Sequence, residues 1–301
     1  GGKVRFVCGR FPIYKGKHRY LTNDYSGPTT GAKAIEFWLD TDGASARPVT
    51  IIGNLRGFQY YAADTTRLAP HFPVFATKDP TGRLERIAQY QILDKTLACW
   101  TDTSNNGAIE PDEIQFLSFV DREDVDGILT ASIGDDFEIL IVHRKGVIRI
   151  PSSGFSAEGH PLYDLTKLEH PVTGLALRPS SGGNQAMRCE DGSLLITGGP
   201  MQAFRDGKQV WRIHSQWPSL HAGHAAPKQP QYPGQMLSTS RLLGPLIKPT
   251  SGDAGQIWGM NSDDGVMYLM TGDGLHLATI GEMGPESQRW TMPEAIRGMD
   301  V

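Results

Sequence analysis

The chain has 301 residues, a formal net charge of -4 and 21% charged side chains, so its charge gives no sign of a nucleic-acid or membrane-surface binder. It holds no run of ~18 apolar residues, which excludes a transmembrane helix. A hydrophobic fraction of 39%, with 35 Gly and 20 Pro, suits one turn-rich domain of many short strands over residues 1–301.

In chain order, Lys3–Cys8 alternates as a strand should, and Phe11 to Gly31 follows as a long polar-aromatic loop punctuated by Pro12, Gly16, Gly27 and Pro28. Ala34–Leu39 is a strand that runs into Asp40-Thr-Asp-Gly43, with another strand at Val49–Ile52. Strand-like runs continue at Gly57–Ala62, Val74–Ala76 and Ile87–Ile92. The three cysteines, Cys8, Cys99 and Cys189, fit no zinc or haem spacing and allow at most one disulfide, or three buried thiols.

Asp102–Glu113 carries the most specific pattern. EF-hand calcium loops place oxygen ligands at positions 1, 3, 5, 7 and 9, a bidentate Glu at 12 and a Gly at 6. Here those slots hold Asp102, Ser104, Asn106, the Ala108 carbonyl, Glu110, Glu113 and Gly107. The flanks, Lys95–Trp100 and Ile114–Val120, are β-branched and aromatic and lack helical periodicity, which predicts strand, structural Ca2+ loop, strand. The alternative is a polar turn that binds nothing. Trp38-Leu-Asp40-Thr aligns with Trp100-Thr-Asp102-Thr, so Asp40–Gly43 reads as an eroded, metal-free relative.

Further strands are predicted at Ile128–Ile133, Phe137–His143, Val147–Ile150, Thr173–Leu177, Gln185–Cys189 and Ser193–Thr197, with Pro151 to His170 as loop. Gln202–Trp211 reads strand, Asp-Gly turn, strand, and Gln256–Met270 repeats the form. Thr271–Ile280 makes another hairpin around Gly272-Asp273-Gly274. No amphipathic helix persists over three turns, and the prediction is all-β. Recurrent hairpins closed by Trp or Tyr suggest a β-propeller, and ~40–50 residues per blade gives about six or seven blades. The last blade is incomplete if the C-terminus is truncated.

Ala203-Phe-Arg-Asp-Gly-Lys-Gln-Val-Trp211 resembles the A-x-D-x-x-G-K-x-x-W repeat of quinoprotein-like (PQQ-like) propellers, with one residue fewer at the turn. The Asp-Gly hairpins are similar to NHL-like repeats, and the Asp102 loop resembles the EF-hand-like calcium inserts of extracytoplasmic bacterial propeller proteins. The resemblance covers about a third of the chain. It implies a propeller fold and a secreted or periplasmic setting; it does not imply a bound quinone. A start at Gly-Gly-Lys and an end at Gly-Met-Asp-Val suit an excised piece of a longer secreted chain with other domains, or a tag remnant.

Two stretches could carry chemistry. Trp211–Pro227 brings His214, Trp217, His221 and His224 onto one Pro-flanked loop, where imidazoles could bind a ligand, share a metal, act as general bases or serve as structural hydrogen-bonding groups. Lys15, Lys17, His18, Arg19, Tyr20 and Tyr25 interleave cations with aromatics, which suits an anionic or sugar ligand, or else a solvated loop. The expected function is a module binding carbohydrate or a protein partner. The enzymatic alternative is a polysaccharide lyase in which Arg19 neutralises a uronate and His221, His224 or Tyr20 takes the C5 proton. A quinone-dependent dehydrogenase is the third reading. No G-x-S-x-G, P-loop or H-E-x-x-H motif occurs, and a glycosidase pair cannot be picked from 33 acidic residues.

Overall fold

The computed structural model describes residues 12–23, 34–61, 92–134, 136–177, 184–197, 201–213, 240–252, 255–262 and 267–280. Most of them are strand, and the strands form antiparallel sheets, none of which closes on itself. The all-β prediction holds.

The first sheet is a six-stranded meander in chain order. β1 (Ile13–Lys15) and β2 (His18–Thr22) form a hairpin across Gly16, whose φ of 57° is one that side chains resist. Part of the expected Phe11–Gly31 loop is therefore strand. Tyr20 and Thr22 alternate inward from β2, a pattern obscured by the glycines and prolines around it. β3 (Ala34–Asp40), β4 (Ala46–Asn54), β5 (Thr96–Thr101) and β6 (Ile114–Ser118) complete the sheet.

Helix α1 (Leu55–Tyr61) stands where a strand was expected at Gly57–Ala62. Asn54 caps it, its side-chain oxygen accepting the Gly57 amide at 2.8 Å. Leu55 and Phe58, three residues apart on one helical face, are buried together beside Ile51 and Trp100. A cap and one apolar stripe outweigh the strand preference of the aromatic residues.

β7 (Ile128–Ile133), β8 (Ile139–His143) and β9 (Gly146–Ile150) begin the second sheet. The chain then leaves it for a separate hairpin, β10 (Ser152–Phe155) and β11 (Pro161–Tyr163), and returns as β12 (Glu169–Val172) beside β9. The stretch expected as loop from Pro151 to His170 is thus paired in part, through β10, β11 and the start of β12. The β10–β11 hairpin lies on the first sheet: the Thr50 hydroxyl donates to the Pro161 carbonyl at 2.9 Å and the Gln115 amide to the Tyr163 carbonyl at 2.8 Å.

The third sheet is β13 (Ala186–Arg188), β14 (Leu194–Ile196), β15 (Met201–Arg205) and β16 (Lys208–Ile213). The fourth is β17 (Ser240–Ile247), β18 (Ile257–Ser262), β19 (Met267–Thr271) and β20 (His276–Ile280). Both are meanders, with hairpins at Asp206–Gly207 and Gly272–Gly274 as the turn residues predict.

Each sheet packs on the next. Tyr20, Phe37 and Ile52 share a core with Ile139, Ile141 and Ile148. Leu140 and Val142, the alternate residues of β8, point the other way and pack with Ala186, Leu194 and Ile196. Leu195 turns from that core into a third one with Trp258, Met260 and Met270. The middle sheets are thus apolar on both faces. Each fully buried Ile or Leu contributes roughly 1.5–3 kcal/mol. Between the second and third sheets, buried Glu138 is held by Arg149 and, at 2.8 Å, by Arg188.

Candidate metal centre

Asp102 follows β5, and the loop returns to β6 through a 3-10 turn at Pro111–Glu113, so strands flank it as predicted. The main chain passes through two left-handed residues, Asn105 at φ 59° and Gly107 at φ 72°, which turn it sharply at loop positions 4 and 6. Asp102 gathers the loop from inside. Fully buried, its carboxylate accepts the Asn106 amide at 3.0 Å and the Gly107 amide at 3.1 Å. Asn106 Oδ1 accepts the Ala108 amide at 2.7 Å.

Glu113 closes the loop from its other end. Its Oε1 accepts the Ser104 amide at 2.7 Å and the Thr103 hydroxyl at 3.1 Å, and its Oε2 the Trp100 indole N–H at 2.9 Å. Partial burial pushes this carboxyl up, but the donors from Ser104, Trp100 and Thr103 outweigh it and hold the group below the ordinary carboxylate range. Both carboxylates turn into the loop that carries Ser104, Asn106, the Ala108 carbonyl and Glu110. Among the described residues no group of three or more His, Cys, Asp or Glu side chains is placed to hold a metal. The loop's donors are largely hydroxyl, amide and main-chain oxygens, a hard set that fits Ca2+ and not a soft metal.

One cation already reaches this loop. Arg47 on β4 places Nη1 3.3 Å from Asp102 Oδ2, and its Nη2 contacts Asn105 Oδ1 and lies 3.2 Å from His160 Nε2. His160, buried in the turn between β10 and β11, sets its Nδ1 2.6 Å from the Asp102 main-chain oxygen. A carbonyl only accepts and a guanidinium only donates. The imidazole therefore carries its proton on Nδ1 and accepts from Arg47 on Nε2.

The same turn meets the basic strand. The Tyr20 hydroxyl donates to the Gly159 carbonyl at 2.5 Å, and a Cβ on Gly159 would sit 2.8 Å from the His18 ring. Residues predicted for two separate sites, the calcium loop and the Lys15–Tyr20 stretch, thus meet through Gly159 and His160.

Tyr20, predicted as a catalytic group, is instead part of the core. It is fully buried among Phe37, Phe137 and Phe155, and burial pushes its phenol up to about 12. A lyase reading loses this residue as its base. Of the predicted ligand-binding residues, Lys17 is exposed in the β1–β2 turn, His18 is half-buried, and Arg19 pairs with Asp40. Lys15 lies with its ammonium 5.7 Å from the centre of the Phe155 ring. Tyr25, His214, Trp217, His221 and His224 lie outside the described residues, as does the expected strand at Lys3–Cys8.

Arg47 and His160 were not singled out from the sequence. Pairing of Thr50 with Thr101 sets Arg47 alongside the loop, and only that register reveals it. The chain matches no protein-family model and no curated protein sequence.

Proposed function

We propose that the chain is a calcium-stabilised β-propeller that works outside the cytoplasm as a binding module for carbohydrate or a protein partner. The observation that carries this reading is the succession of sheets: a six-stranded meander and then three four-stranded antiparallel sheets, each packed face to face on the next. Blades of a propeller pack in that order. Trp211, the last residue of the propeller-like repeat, favours the same reading. It stacks on Trp258 of the following sheet with centroids 6.5 Å apart and donates its indole N–H to the Gly272 carbonyl at 3.1 Å.

Asp102, Ser104, Asn106, the Ala108 carbonyl, Glu110 and Glu113 would hold the calcium ion. Bound there, it would supply a fixed charge that ties the two ends of the β5–β6 connection. With only Asp102, Glu110 and Glu113 as carboxylates, the site belongs to the weak range of extracellular modules, Kd about 10⁻⁴–10⁻³ M. Such a site fills only where calcium is millimolar, which supports an extracytoplasmic setting. For a ligand, the β1–β2 hairpin offers Tyr14, 63% exposed, between Ile13 and the exposed Lys15 and Lys17. An aromatic face beside cations suits an acidic sugar.

The test is thermal unfolding of chelated protein with calcium added back. At about ten times Kd, calcium is expected to stabilise by about 1.4 kcal/mol, and Glu113→Gln to remove most of that gain. Equal melting temperatures with calcium and with chelator would reduce the loop to a turn. Binding is read separately on uronate-containing polysaccharides, with Tyr14→Ala expected to weaken it.

A further inference from the structure

Two histidines of the second sheet take no part in the loop or the basic strand. His143 ends β8, is fully buried, and its Nδ1 accepts the Lys145 amide at 3.3 Å. A main-chain N–H can only donate, so the neutral ring carries its proton on Nε2. That nitrogen is buried with no hydrogen-bond partner. It sits where β12 crosses β9 so closely that a Cβ on Gly146 would lie 3.1 Å from Nε2 and 2.2 Å from the Val172 carbonyl oxygen. His170 on β12 has both ring nitrogens buried and without a partner.

The Phe119–Gly127 connection, which joins the first sheet to the second, packs against His170 and sets Arg122, Asp124 and Asp126 within electrostatic reach of His143. Phe119 meets His170 edge to face with centroids 6.4 Å apart, and the Arg122 guanidinium lies 5.5 Å from the Phe119 ring centre. Phe119 and Val125 anchor the connection in the core that the first two sheets share. The Phe119 amide donates to the Lys95 carbonyl and the Arg144 amide to the Asp126 carbonyl, each at 2.8 Å, and Lys145 Nζ reaches the Glu123 carbonyl.

Charging either ring in place is unfavourable on geometry alone. An imidazolium donates from both nitrogens, so protonated His143 would set an Nδ1–H against the Lys145 amide and leave Nε2–H unmet. Protonated His170 would bury two unmet N–H groups together with a charge. The charged groups around the pair give little relief. From the connection, Asp124 and Asp126 attract, but Asp124 is already paired with Arg122 and Asp126 faces Arg144 at 3.9 Å. Lys145 from the β8–β9 turn and Lys95, just before β5, bring ammonium groups to main-chain oxygens of the connection, Lys145 to that of Glu123 and Lys95 to that of Arg122 at 3.5 Å. Glu169, next to His170 on β12, is bound to Arg149 at 3.0 Å.

We propose that His143 and His170 form an acid-operated latch, in which proton uptake by the pair releases the Phe119–Gly127 connection and loosens the first sheet from the second. Burial, then repulsion from His170, holds His143 down to about 4. Burial, then Arg122, holds His170 below its ordinary value. Because both folded values lie below the unfolded ones, the closed state is fully favoured above the ordinary His pKa of about 6.5. Its advantage is lost as pH falls from there toward the depressed values.

The test is hydrogen exchange of the full chain at pH 7.5 and pH 5, corrected for intrinsic rates. Amides of 119–127 are expected to lose protection by about tenfold or more at pH 5, while those of the third and fourth sheets hold theirs. The variant His143→Asn with His170→Phe keeps an acceptor for the Lys145 amide and a ring against Phe119, and its protection is expected to be the same at both pH values. Unchanged protection in the natural chain, or an equal loss in the variant, would overturn the latch. If the variant does not fold, the imidazole C2–H resonances of the natural chain decide: two titrations well below 6.5 support the latch, and values at or above it sink the idea.

Discussion

Two hairpin turns of the first sheet begin alike and end differently. In each, a strand passes through a Trp into an Asp whose carboxylate collects main-chain amides: Asp40 takes those of Asp42 and Gly43 at 3.2 and 2.6 Å. Asp102 does the same for Asn106 and Gly107. In each, a Glu accepts the Trp indole N–H: Glu36 accepts from Trp38 at 2.5 Å and Glu113 from Trp100 at 2.9 Å. Glu36, however, stands two residues before its Trp on the same strand, whereas Glu113 reaches back from the far end of the loop. The shorter turn completes itself, because Asp42 accepts the Ala44 and Ser45 amides at 2.9 and 2.6 Å. The longer loop instead buries Asp102 fully and is closed from its far end by Glu113. A local signal sufficient for a short turn thus becomes, when lengthened, a loop whose buried carboxylate is met by main-chain amides and by Arg47 together.

The largest separation between the two turns is expected from removing their aspartates. Asp102→Ala leaves Arg47 and two loop amides without their acceptor, and unfolding in urea should show a loss of about 3 kcal/mol. Asp40→Ala, at a site that is 10% exposed with a partner in Arg19, should lose about 1 kcal/mol. Equal losses would mean that burial of Asp102 adds nothing. Next in size, Arg47→Met is expected to destabilise by about 1–2 kcal/mol in chelator and by less in millimolar calcium, since an ion held in the loop as proposed would offer Asp102 a second source of positive charge. A loss independent of calcium would separate the guanidinium from the ion.

The smallest effect is in acid. Glu113 is held below the ordinary carboxylate range despite its partial burial, and Asp42 is held low chiefly by the Ala44 amide. A depressed folded value stabilises above the ordinary pKa and is lost as pH falls through it, so both turns weaken below about pH 4. Glu113→Gln should flatten that limb of a melting-temperature profile more than Asp42→Asn, because Asp42 is fully exposed and screened.

What could be read from the sequence was what short-range chemistry decides. Asp206–Gly207, Gly272–Gly274 and Asp40–Gly43 announce hairpins because Gly and Asp meet backbone demands within a few residues. The strand flanks of the calcium-like loop follow from their β-branched and aromatic residues. The Asn54 cap was equally local, but it was hidden by an aromatic run that reads as strand. The meeting of the Lys15–Tyr20 stretch with the Asp102 loop had no local trace. It depends on Gly159 and His160, more than fifty residues beyond Asp102, carried there by a hairpin that leaves its own sheet.

The central strand β8 carries one more consequence. With Ile139 and Ile141 in one core and Leu140 and Val142 in another, both of its faces are apolar. A slip of one residue would exchange aliphatic side chains between two greasy environments, and hydrophobicity alone would hardly penalise it. Penalties come from the strand's ends. A slip would pull Glu138 from between Arg149 and Arg188 and draw His143 off the Lys145 amide. These two buried polar residues act as alignment pins for a strand that could otherwise be threaded in more than one way.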